Sequence, residues 1–70
     1  MEYRQVFVVN DMASDKERQR VIEAVASLDG VASCELAPGS VRKIVVVYDR
    51  DRVTEQDIVA RIAEVGYEVA

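Results

Sequence analysis

The chain has 70 residues, half of them apolar, with nine basic and thirteen acidic side chains and a formal charge of −4. This length suits one domain over residues 1–70, near the size at which a single hydrophobic core only just suffices. The acidic balance disfavours a general nucleic-acid binder, which needs a basic surface to neutralise phosphates. The longest apolar runs, 6–9 and 44–47, are too short to span a bilayer. No segment has the basic start, apolar middle and small-residue cleavage site of a secretory signal, so the expected compartment is the cytoplasm.

Glu2 to Asn10 reads as a first strand, with Tyr3, Gln5, Phe7 and Val9 on one side and Arg4, Val6 and Val8 on the other. Phe7 and Val9 are expected to face the core. Ser14 followed three residues later by Glu17 predicts a capping box, with the serine oxygen accepting from the Glu17 amide and the glutamate reaching back to the Ser14 amide. From Asp15 the apolar period becomes helical through Val21, Val25 and Leu28, with Ile22 and Ala24 widening the stripe, until Asp29-Gly30 stops it.

Val31 to Ala37 predicts a second strand with Cys34 and Leu36 on one side, and Pro38-Gly39-Ser40 turns the chain. Arg42 to Asp49 predicts the third, in which Ile44, Val46 and Tyr48 join the core and Lys43, Val45 and Val47 face away. Thr54 and Asp57 predict a second helix cap, with the shorter aspartate less able than glutamate to reach back. Ile58, Ile62 and Val65 share one helical face, helped by Val59 and Ala63, before Gly66 and a short last strand at Tyr67 to Ala70.

The predicted order is strand, helix, strand, strand, helix, strand. Placing both helices on one face of a four-stranded antiparallel sheet buries every apolar face at once. Two right-handed crossings then give an α+β, ferredoxin-like βαββαβ sandwich with strand order 4-1-3-2. In this topology Val6 and Val8 lie beside Val45 and Val47 on the sheet face away from the helices, a candidate contact surface for a second subunit or another domain. The competing reading is that these valines supply only strand propensity.

Phe7-x-Val9-x-x-Met12, Leu28-x-Gly30-Val31, Ile44-x-Val46-x-Tyr48-Asp49 and Gly66-Tyr67 together resemble the heavy-metal-associated domain family of small copper chaperones and metal-ATPase N-terminal domains. The family pattern runs strand, Gly-Met-x-Cys-x-x-Cys, helix. Here Met12 keeps its place, Asp11 stands at the glycine, and Ser14 and Glu17 stand at the two cysteines. The resemblance implies that paired thiolates at those positions would hold Cu(I) or another soft ion; neither residue offers sulfur. It also implies that Met12 packs inward and that Tyr67 lies near the loop, as a core-edge aromatic whose hydroxyl reaches water.

Cys34 is the only cysteine and there is no histidine, so neither an internal disulfide nor a two-thiol site can form within one chain. Cys34 is expected to pack in the core. The crowding of Asn10, Asp11, Ser14, Asp15 and Glu17 in one turn suits helix capping, with a weak Ca²⁺ or Mg²⁺ site as its competitor. With no nucleophile–base pair and no phosphate loop, no catalytic residue and no cofactor are expected.

The leading expectation is a non-catalytic, degenerate metal-domain relative that serves protein contacts or a structural role without tight Cu(I) binding. Its competitors are a metallochaperone-like protein with weak or intersubunit metal binding, and an ACT-like small-ligand regulatory domain. The agreement of binary pattern and helix caps also suits a designed sequence.

Overall fold

The structure, a computed structural model, describes residues 1–70 as β1 (Glu2–Asn10), α1 (Asp15–Ala26), β2 (Val31–Leu36), β3 (Lys43–Asp49), α2 (Glu55–Glu64) and β4 (Glu68–Val69). β-branched side chains crowd β1 and β3, which become the long central strands. They pair antiparallel over seven positions, from Glu2 opposite Asp49 to Val8 opposite Lys43. With β2 beyond β3 and β4 beyond β1, the sheet order is β2-β3-β1-β4, the expected 4-1-3-2 arrangement.

Both helices cover one face. Phe7 and Val9 from β1, with Ile44, Val46 and Tyr48 from β3, meet Val21 and Val25 of α1 and Ile58 and Ile62 of α2. Met12 and Val53 complete this buried cluster from the connections. Cys34, Leu36, Leu28 and Val65 pack at its edge, half-buried. Val53 escapes a periodicity reading because it lies in the turn before α2, outside any repeating pattern.

α1 ends earlier than Asp29-Gly30 suggests, at Ala26 with Ser27 as its C-terminal cap. Leu28 then packs against the core from a turn, so its helical spacing in the sequence overstates the helix. Gly30 makes the sharp entry to β2, with φ at +102° and its carbonyl accepting from the Asp49 amide at 2.8 Å. A Cβ there would stand 3.0 Å from the Arg52 Cβ and 3.0 Å from a Val53 methyl. Only glycine fits both the backbone and the space.

The second cap corrects the sequence reading. Thr54 and Asp57 close a full box: the Asp57 amide donates to Thr54 Oγ1 at 3.1 Å and the Thr54 amide donates to Asp57 Oδ2 at 2.9 Å. The shorter aspartate spans this gap without difficulty. At the same end of the sheet, the Tyr48 hydroxyl donates to Gln5 Oε1 at 2.7 Å and Gln5 Nε2 donates to Glu55 Oε1 at 2.8 Å, tying β3, β1 and α2 together.

The four valines lie on the face away from the helices, in a register that differs in detail from the expected one. Val6 stands directly opposite Val45, but Val8 faces Lys43 and Val47 faces Arg4. Val45, flanked by Val6 and Glu35 on the neighbouring strands, is 5% exposed, whereas Val6 is 51% exposed.

Candidate functional site

The loop between β1 and α1 starts with a backbone requirement. Asp11 has φ at +69°, a left-handed conformation that the family's glycine would adopt without strain. Aspartate is among the few other residues that tolerate it. The turn sends Met12 into the core, where it is 4% exposed, as expected of a packing residue. Its sulfur therefore fills space beneath the loop.

Ser14 caps α1, with its Oγ accepting from the Glu17 amide at 3.2 Å. The return half of the box is different from the expected one. Glu17 Oε1 accepts from the Ala13 amide at 3.1 Å, one residue before the cap, and from the Ser14 hydroxyl at 3.1 Å. The extra methylene of glutamate, relative to Asp57 in the second helix, carries the carboxylate past the Ser14 amide to Ala13.

The other oxygen, Oε2, accepts from the Tyr67 hydroxyl at 3.0 Å. Tyr67 follows Gly66 at the exit of α2, so this bond joins the turn before β4 to the first turn of α1. The expectation that this hydroxyl would reach water is thus corrected, because half-buried Glu17 supplies a charged acceptor within reach. Electrostatics follow the geometry. The hydrogen bonds from Tyr67, first, and Ser14 hold the Glu17 carboxyl below its ordinary range. Desolvation, followed by the hydrogen bond and charge of Glu17, pushes the Tyr67 phenol up.

Arg18 is the loop residue that motif reading missed. Its Nη1 donates to the Met12 carbonyl at 3.1 Å and its Nη2 to Asp15 Oδ1 at 2.5 Å. A fixed positive charge beside the loop backbone opposes any cation placed there. Asn10 is engaged as well, accepting from Arg42 Nη2 at 3.3 Å. Of the crowded oxygen donors Asn10, Asp11, Ser14, Asp15 and Glu17, only the Asp11 side chain has no partner within the protein. No group of three or more His, Cys, Asp or Glu residues is arranged to hold a metal ion.

Cys34 lies on β2, away from this loop, half-buried against the core. Desolvation, with a smaller contribution from Glu35, pushes its thiol up to about 12, so it is a poor nucleophile and metal ligand near neutrality. The donor set presented at the loop is therefore oxygen without sulfur, and it does not fit a soft ion.

Comparison with known proteins places this geometry in a family. No curated protein matches the chain. Among solved structures, a putative copper-ion-binding protein from Bacillus anthracis str. Ames is 26% identical, with a TM-score of 0.90 over 100% of this chain and 97% of the other. A copper binding domain from the P-type ATPase HMA7 is 26% identical, with a TM-score of 0.88 over 100% and 92%. Oxidized MerP from Ralstonia metallidurans CH34, at 20% identity, shares the fold with a TM-score of 0.90 over 100% and 96%. The model of the heavy-metal-associated domain matches residues 6–68, nearly the whole length from β1 to β4, and the chain belongs to that family.

Proposed function

We infer that this chain is a non-catalytic heavy-metal-associated domain whose loop has become a helix cap, serving protein contacts or a structural role without tight Cu(I) binding. One observation carries the reading: Glu17, at the second thiolate position, has both carboxylate oxygens engaged by the Ala13 amide, the Ser14 hydroxyl and the Tyr67 hydroxyl. A metal would have to displace those bonds and accept oxygen where the family uses sulfur. The Ser14 hydroxyl donates to Glu17, whose carboxyl is held below its ordinary range and is too weak a base to activate it.

The outer valines Val6, Val8, Val45 and Val47 are the proposed contact surface, where exposed Val6 and half-buried Val8 and Val47 surround Val45. No helix is long and apolar enough to cross a membrane. A reducing cytoplasm suits a chain with one unpaired thiol.

The test is an anaerobic competition titration with Cu(I) and Zn²⁺. The parent chain is expected to lose both ions to a chelator, while Ser14→Cys with Glu17→Cys in one folded variant gains stoichiometric Cu(I). A tight complex of the parent would overturn the reading.

A further inference from the structure

The long strand β1 is only partly covered on one edge. β4 pairs with Val9 and Asn10, and the Ala70 amide adds one bond to the Val8 carbonyl. From Glu2 to Val6 no strand lies on that side. The Val9 amide donates to the Arg42 carbonyl on the β3 side and the Val8 carbonyl accepts on the β4 side, so alternation directs the peptide groups of Glu2, Arg4 and Val6 to the open edge. An unpaired row of this kind is a template for another strand.

Side chains along the edge supply a second observation. Met1 and Tyr3, at 96% and 41% exposure, are two of the four large apolar residues that the surface exposes, and both lie along this edge. Tyr3 is held in place by an edge-on contact with Tyr48, with ring centroids 5.7 Å apart, and by the Arg50 guanidinium 4.5 Å above its ring. Glu2 and Arg4 bear opposite charges on the same outer face, two residues apart.

We propose that this edge joins a second copy of the chain through an antiparallel β1–β1 ladder centred on Tyr3. The pairing is self-complementary under a two-fold axis. Centring on Tyr3 sets Glu2 opposite Arg4 of the other copy, twice, and each such pair exchanges two N–H···O=C hydrogen bonds, about four new hydrogen bonds in all.

Other registers that align outward-facing peptide groups are worse. Centring on Arg4 sets two guanidinium groups face to face, and centring on Val6 drives Arg4 into the place beside Val8 that Ala70 already holds. Centring on Gln5 sends Glu2 to that same place and pairs Arg4 with Val6 instead of with an acid. The charges of Glu2 and Arg4 thus choose the register as well as the partner.

The ladder would make one continuous sheet, β2-β3-β1 of one copy running into β1-β3-β2 of the next, with helices on the same side. It buries Tyr3 against its symmetry mate and leaves the outer valine face and the β1–α1 loop free. It therefore stands or falls independently of the loop reading.

Sedimentation velocity and native mass spectrometry over a concentration series test it. The parent chain is expected to dimerise reversibly. Arg4→Glu or Glu2→Arg alone should raise the dissociation constant about tenfold or more, because each turns two attractive cross-strand pairs into repulsive ones. The double reversal, Glu2→Arg with Arg4→Glu, restores opposite charges and should return to within about threefold of the parent.

Tyr3→Cys should crosslink rapidly on mild oxidation, since directly opposed residues of a non-hydrogen-bonded pair have a Cα separation of about 4.5 Å, within disulfide range. Val6→Cys, off the axis, should crosslink slowly. A chain monomeric at every concentration, a dimer indifferent to both single reversals, or equal crosslinking at positions 3 and 6 would each overturn the proposal. So would a dimer lost on Val8→Glu, which alters the valine face opposite Lys43 and lies four residues along β1 from Arg4.

Discussion

Gly30→Ala is the substitution whose cost the structure sets most closely. Two separate terms enter. The backbone at φ +102° is one that residues with a Cβ rarely adopt, and left-handed conformations cost about 1–2 kcal/mol. The new methyl would also stand 3.0 Å from both Arg52 Cβ and a Val53 methyl, and Val53 is a buried core residue that cannot simply swing away. Overpacking of this kind costs about 1–3 kcal/mol. The sum is about 2–5 kcal/mol, a large fraction of the total for a small domain.

Gly39→Ala separates the terms, because Gly39 also has positive φ, +74°, but nothing lies within 4 Å of the added methyl. It should lose only the backbone part, about 1–2 kcal/mol. Urea unfolding of the parent and both variants, read at equal m-values, gives the difference directly. If Gly30→Ala costs no more than Gly39→Ala, the close approach of β2's entry to Arg52 and Val53 is wrong.

Three further outcomes follow from the loop and β2. Asp11→Ala should destabilise by about 1 kcal/mol and Asp11→Gly should be neutral or stabilising, since φ at +69° penalises alanine most; thermal unfolding compares them. Glu17, with its pKa lowered chiefly by the Tyr67 hydroxyl, contributes stability above its unfolded value that is lost as pH falls through the folded one. Tyr67, raised by desolvation and then by Glu17, contributes below its unfolded value and loses that contribution as pH rises through the folded one. In Tyr67→Phe the Glu17 carboxyl should titrate nearer the ordinary value of 4.5, as followed by carboxyl-carbon NMR; an unmoved titration would remove the cross-loop bond. Native Cys34 should react with a thiol reagent far more slowly than the unfolded chain at neutral pH, because its thiol is pushed up to about 12 by burial.

The fold was legible because its determinants are local and repetitive. Alternation in β1 and β3 and the helical spacing of Val21, Val25, Ile58 and Ile62 each point to one buried face, and placing both helices on one face of the sheet satisfies them together. What escaped depends on reach and not on period. Glu17 and Asp57 occupy the same position in their helices, yet one methylene sends Glu17 to Ala13 and Tyr67 while Asp57 closes on Thr54. Leu28 keeps helical spacing but packs from a turn after Ser27 has ended α1. Arg18 carries no motif; its role needs the Met12 carbonyl, which only the folded loop turns toward it.

The β1–α1 loop is braced from two sides by different means. Met12 lies in the core and Asp11 holds a left-handed backbone, so the turn geometry is supported from beneath by packing. Above it, the two positions matching the family's thiolates connect to each other through Ser14 Oγ and Glu17, and Glu17 extends the connection to Tyr67. The Glu17 carboxylate, satisfied by three donors, keeps its charge without a neighbouring cation. Core packing below and hydrogen bonds above thus hold this turn together.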